Sequence, residues 1–152
     1  MTESREMKQQ DYNSSINVSV PPKEAFDKIT RVSEWWTKNL EGKSKNINDV
    51  FTVRFGETFV KIKLKEVIPN KKILWHVIDC HLDWINNKKE WLNTEMSFEI
   101  SANNNITQIN FTHIGLLPQV ECYNDCRRGW DQYIQQSLYN LITKNEGKPD
   151  KF

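Results

Sequence analysis

Residues 119–144 read QVECYNDCRRGWDQYIQQSLYNLITK, with no proline and only Gly129 as an internal weak point. At about 100° per residue, Tyr123, Cys126, Trp130, Ile134, Ser137 and Leu141 fall into one stripe, with Tyr133 and Leu138 beside it. Asp125, Arg128, Gln132, Gln135 and Gln136 lie on the opposite side. The spacing predicts one amphipathic helix, about 39 Å long at 1.5 Å per residue. A lone helix with so long an apolar face needs a broad surface to bury it against.

The residues before it supply that surface. Thr107, Ile109, Phe111 and His113 share one parity, as do Leu92, Thr94, Met96, Phe98 and Ile100, with Asn103-Asn104-Asn105 as the turn between them. Val60, Ile62 and Leu64 alternate with Lys61, Lys63 and Lys65, one face buried and one solvated, which explains the lysine row without a ligand. Phe51, Val53 and Phe55 precede them across Gly56-Glu57, and Ile16, Val18 and Val20 form a strand near the start. Residues 73–80 are apolar at both parities, which predicts cover on both sides. Six antiparallel strands make a sheet about 24 Å wide, which one long helix can cross diagonally.

Between the first strand and the rest, Pro21-Pro22 starts a short helix with Ala25, Phe26 and Ile29 on one face. A second short helix carries Val32, Trp35 and Trp36, and residues 39–42 break it. The expectation is an α+β domain: a curved six-stranded antiparallel sheet wrapped around a C-terminal helix, with two short helices after the first strand.

A chain of 152 residues is one domain by length. Residues 1–11 and 146–152 read as tails around a domain at 12–145. With 21 Lys and Arg against 20 Asp and Glu, the net charge is +1, which gives no field to hold nucleic acid or an anionic membrane. The mean hydropathy of −0.71 and the lack of a long apolar run exclude a spanning helix. The first ten residues are polar and charged, unlike a secretory leader, and three cysteines do not make a disulfide scaffold. The expected location is the cytoplasm, as a monomer or homodimer.

Val20-Pro21-Pro22-Lys23-Glu24-Ala25-Phe26 followed by Trp35-Trp36 forms one motif. Phe111-Thr112-His113-Ile114-Gly115-Leu116-Leu117-Pro118, then Cys122-Tyr123, Gly129-Trp130 and Ser137-Leu138, form another. At this separation they resemble the START-like (SRPBCC, helix-grip) superfamily, and within it single-domain relatives of the C-terminal domain of the heat-shock-protein-90 ATPase activator. The resemblance implies a hydrophobic cavity between sheet and helix. It also implies two alternatives to simple ligand binding: a co-chaperone that activates a chaperone ATPase, and a cyclase- or dehydratase-type enzyme. It implies no cofactor.

The cavity-facing candidates are Phe55, Met96, Phe98, Ile109, Phe111 and His113 from the sheet, with Tyr123, Cys126, Trp130, Tyr133 and Ile134 from the helix. The expected partner is a small hydrophobic or amphipathic molecule, oriented by His113, Tyr123 or Tyr133. His113 is the one candidate acid or base, but a histidine with no placed carboxylate is not a mechanism, and a buried structural imidazole is the competing reading. Cys122, Cys126, Cys80, His76 and His81 match no strong zinc spacing and read as buried thiols and scattered imidazoles. Trp84 and Trp91 fit a pocket mouth, a partner surface or packing on a sheet edge. Glu57, Glu95 and Asp79 are not forced together by spacing, so no catalytic residue is assigned.

Overall fold

The computed structural model describes residues 10–150. Two elements open the chain, β1 (Tyr12–Val18) and α1 (Pro22–Thr30), followed by the single turn α2 (Val32–Trp35). A meander follows: β2 (Leu40–Gly42), β3 (Val50–Phe55), β4 (Thr58–Ile68), β5 (Lys72–His81), β6 (Glu95–Asn103) and β7 (Ile106–Ile114). The C-terminal helix is one run in three parts: α3 (Tyr123–Trp130), a π-helical segment (Asp131–Leu138) and α4 (Tyr139–Lys144).

All strands form one antiparallel sheet in the order β1-β7-β6-β5-β4-β3-β2. There are seven strands where the sequence predicts six. The extra one, β2, is three residues ending in Gly42, too short to alternate, and its sequence carries only a helix-break signal. It pairs Gly42 with Phe51; at φ +98°, a Cβ on Gly42 would lie 2.2 Å from the Val50 carbonyl, so only glycine permits that approach.

Alternation holds where the sequence shows it. Val60, Ile62 and Leu64 are buried and Lys61, Lys63 and Lys65 exposed. Two register shifts in the β4–β5 pairing, at Lys61/Ile62 and Leu64/Glu66, locally bend and twist the sheet. In β5, Ile73, Trp75 and Val77 face the core, but Ile78 is 37% exposed. The second face of that strand is therefore open, and its apolar residues reflect β-propensity rather than a covering layer.

The helix packs its stripe inward. Cys126, Trp130, Ile134, Ser137, Leu138 and Leu141 are buried, while Gln132, Gln135 and Gln136 are exposed. It begins at Tyr123 rather than 119, and the backbone passes Gly129 and stays right-handed helical at Asp131 (φ −56°, ψ −44°). At its far end Asn145 takes the left-handed conformation, and the Lys28 ammonium from α1 donates to the Leu141 carbonyl at 3.2 Å and to Asn145 Oδ1 at 2.9 Å. A buried cation thus meets the negative end of the helix dipole.

The segment after the helix is docked rather than free. Asp150 accepts from Lys38 N at 2.8 Å and donates its own N–H to the Trp36 carbonyl at 3.0 Å. Lys148 N donates to Ser137 Oγ at 2.8 Å. A Cβ on Gly147 would lie 2.0 Å from the Glu34 carbonyl, so the strap lies directly on α2. Residues 1–9 and 151–152, part of the expected tails, lie outside the described residues.

Candidate functional site

A pocket of about 390 Å³ opens between the β3–β4 hairpin, the segment that follows β5, and the first half of the C-terminal helix. Its apolar wall is aromatic. Trp36, Phe55, Trp84, Trp91, Trp130 and Tyr133 line it, with Val60, Leu82, Cys126 and Gly129 filling in between them. Glu57, Thr58, Asp83 and Asp125 are the polar members of the lining. A second hollow, of about 480 Å³, lies between Ser19–Pro22 and the β6–β7 turn, but has neither aromatic nor charged walls. Volume alone does not make it the better site; small-molecule sites combine apolar walls with a few polar groups.

The aromatic rings are held by one another and by fixed polar contacts. Trp36 lies 5.0 Å from Trp130 and 5.9 Å from Phe55 between ring centroids, and Trp91 stacks on Trp130 at 6.0 Å. Trp91 Nε1 donates to Cys122 Sγ at 3.3 Å, and Trp84 Nε1 to Asp125 at 3.2 Å. The Tyr133 hydroxyl donates to the Asp150 carboxylate of the docked strap. Burial, and then that carboxylate, push the Tyr133 pKa up, so the hydroxyl stays protonated. These polar ends are engaged by protein partners, so the rings contribute mainly apolar surface to the pocket.

The wall formed by residues 83–93 is tied to the start of the helix by a reciprocal clamp. The Glu90 carboxylate accepts from Glu121 N at 2.8 Å and Cys122 N at 2.9 Å. The Glu121 carboxylate in turn accepts from Asn86 N at 2.8 Å and Asn87 N at 3.0 Å, and these bonds lower its pKa. Glu90 thus holds, from a distant loop, the two amides of the turn that leads into the helix.

Of the residues expected to face a cavity, Phe55, Cys126, Trp130 and Tyr133 stand on the pocket wall. Met96, Phe98, Ile109, Phe111, His113 and Ile134 are fully buried and outside that lining, in the closed part of the sheet–helix layer. Phe111, for example, lies 4.9 Å from Phe98 and 4.5 Å from Trp130. Tyr123 is half-buried on the core margin. Trp36, Val60, Leu82, Trp84 and Trp91 complete the apolar wall from segments whose meeting is tertiary; an amphipathic tryptophan in a polar loop is the one sequence signal that pointed there.

His113 sits behind Trp130. Trp130 Nε1 donates to His113 Nδ1 at 3.0 Å, so the proton of the neutral ring is on Nε2, which donates to Thr94 Oγ1 at 2.9 Å. Thr94 passes the chain to the Trp91 carbonyl at 2.7 Å. Burial drops the His113 pKa to about 3. Both nitrogens are engaged and the ring is neutral, an arrangement that fixes Trp91 and Trp130 rather than moving a proton. The Cys126 thiol is pushed up by its hydrogen bond with Cys122 and by burial, so it is no thiolate nucleophile. Among the described residues, no group of three or more His, Cys, Asp or Glu is placed to hold a metal, and no helix is long and apolar enough to cross a membrane.

No protein-family model and no curated protein matches the chain. Solved structures do match. The Aha1 dimer from Colwellia psychrerythraea is similar at 22% identity and TM-score 0.74, covering 91% of this chain and 99% of that one. Protein MLL2253 from Mesorhizobium loti is similar at 18% identity and TM-score 0.68, covering 86% and 96%. DynU16, a putative protein in the dynemicin biosynthetic locus, is similar at 15% identity and TM-score 0.68, covering 92% of this chain but 50% of its own. At these identities the likeness is one of fold. The chain shares the α+β helix-grip architecture of these structures, with its long helix against an open antiparallel sheet of seven strands.

Proposed function

We propose that this protein binds a small hydrophobic or amphipathic molecule in the pocket between the β3–β4 hairpin and the C-terminal helix. The observation that carries the reading is an aromatic-walled hollow of about 390 Å³ whose ring nitrogens and hydroxyl are largely tied to protein partners. Binding draws on burial of ligand apolar surface, worth about 2.5 kcal/mol per 100 Å². Exposing the purified protein to a lipid and metabolite extract and recording native mass spectra tests this. A retained adduct that is lost in Gly129→Leu supports the proposal, and an unliganded spectrum across extracts contradicts it.

The likeness to the Aha1 dimer and the sequence resemblance favour a second reading, a co-chaperone-type activator of a chaperone ATPase that acts as a homodimer. An ATPase assay with the host chaperone separates the two: an activator raises the rate, and a ligand carrier leaves it unchanged. The engaged imidazole of His113 gives an acid–base enzyme no comparable support.

A further inference from the structure

We infer that the pocket selects a cationic ligand: an organic amine or quaternary ammonium group carried on an apolar or aromatic body. The inference rests on the pocket being the binding site and adds the sign of the ligand's charge. Three carboxylates, Glu57, Asp83 and Asp125, line the pocket, all on exposed residues at its rim, and no lysine or arginine lines it. The nearby cations are engaged at the rim itself. Arg128 pairs with Asp125, and the Lys88 ammonium donates to the Asp83 and Ile85 carbonyls at 2.8 and 2.7 Å. His81 stands 3.4 Å from Asp83. Glu57 has no hydrogen-bond or ion-pair partner among the described residues. Even with Arg128 and Lys88 counted against the three carboxylates, the rim stays net negative while the rest of the lining is largely aromatic.

That combination discriminates by charge. A cation within about 6 Å of an indole centroid is attracted by the negative face of the ring, more strongly once desolvated. Trp36 and Trp130 adjoin in the lining, 5.0 Å apart between ring centroids, and the carboxylates of the same lining add attraction that an anion would meet as repulsion. A neutral body of the same shape gains the apolar contact alone. An organic anion, the other ligand class common in apolar pockets, is disfavoured by the rim.

Three probes of matched shape separate these cases: benzyltrimethylammonium, its uncharged carbon isostere neopentylbenzene, and phenylmethanesulfonate, each titrated against tryptophan fluorescence. The expected result is at least a tenfold preference for the cation over the isostere, weaker still for the sulfonate, with the ratio falling toward one in the Glu57→Gln/Asp83→Asn double variant and at raised salt. Equal binding of cation and isostere, or preference for the sulfonate, overturns the charge assignment and leaves the pocket as a binding site. So does an undiminished cation preference in the double variant. Failure of all three probes overturns the inference whatever the extract experiment retains; an adduct found there then shows that the pocket reading survives it.

Discussion

Trp130 Nε1 donates to His113 Nδ1 at 3.0 Å, and this bond joins the centre of the helix to the last strand of the sheet. It fixes the imidazole tautomer, sends the remaining N–H to Thr94, and orients the indole that forms the pocket floor.

The same burial makes stability depend on pH. The folded pKa of His113, about 3, lies below the ordinary 6.5, so between those values the unfolded chain binds a proton that the folded chain does not. Stability is full above pH 6.5 and falls as pH drops toward 3, by about 1.4 kcal/mol per pH unit at most. Glu95 and Asp79, whose pKa values are also lowered, add loss in the same direction once the pH falls through the ordinary carboxylate values. Urea unfolding at pH 7.0, 6.0 and 5.0 reads the His113 contribution. His113→Leu should flatten this slope and lose about 1–3 kcal/mol at pH 7, because Trp130 Nε1 is left unpaired.

Gly129 separates pocket volume from fold stability. It lies on the pocket wall within a helix, and an added Cβ would meet only Tyr133 Cε2, at 3.9 Å. Gly129→Ala should raise stability by about 0.5–1 kcal/mol, since glycine is a poor helix residue. Gly129→Leu should preserve the far-ultraviolet circular dichroism spectrum yet abolish ligand retention. A Leu variant that binds as well as the parent places the ligand elsewhere.

The C-terminal strap should behave as part of the pocket. Gly147→Ala puts a methyl group into the Glu34 carbonyl, and the strap must shift or lift. Amide exchange at Lys38 and Asp150, which pair across it, should accelerate, with a stability loss of about 1–3 kcal/mol. Asp150→Ala should bring the Tyr133 pKa back toward the ordinary tyrosine value, read by ultraviolet titration.

Glu90 should matter more than its place in a polar loop suggests. Glu90→Ala removes a charged acceptor for the Glu121 and Cys122 amides, a loss of about 1.5–3 kcal/mol on the scale of hydrogen bonds to charged groups. Loosening residues 83–93 should also weaken ligand binding through Trp84 and Trp91. Unchanged affinity at reduced stability would limit the clamp to a structural role.

Much of this architecture is legible in local pattern. The Val60-Ile62-Leu64 and Lys61-Lys63-Lys65 rows give a one-faced strand, and the stripe through Cys126, Trp130, Ile134 and Leu141 gives the helix and its inward side. Parity, however, assigns a face and not a position along it. Phe98, Phe111 and His113 share the inner face with the pocket, yet lie where helix and sheet close on each other. The pocket forms where Trp36, Leu82, Trp84 and Trp91 converge, and none of these sits in a periodic segment. The short strand at Leu40–Gly42 is too brief to carry a period, and the π-helical stretch at Asp131–Leu138 differs from an α-helix in hydrogen-bond spacing, for which residue composition holds no mark.

Six indole N–H resonances offer the most direct test of an aromatic-walled binding pocket. Trp36, Trp84, Trp91 and Trp130 line it, while Trp35 and Trp75 are fully buried outside it. In a ¹⁵N-correlated titration with benzyltrimethylammonium or neopentylbenzene, the first four should shift along one saturable isotherm while the other two stay in place. Equal movement of all six, or binding that leaves all four pocket indoles in place, would contradict the account.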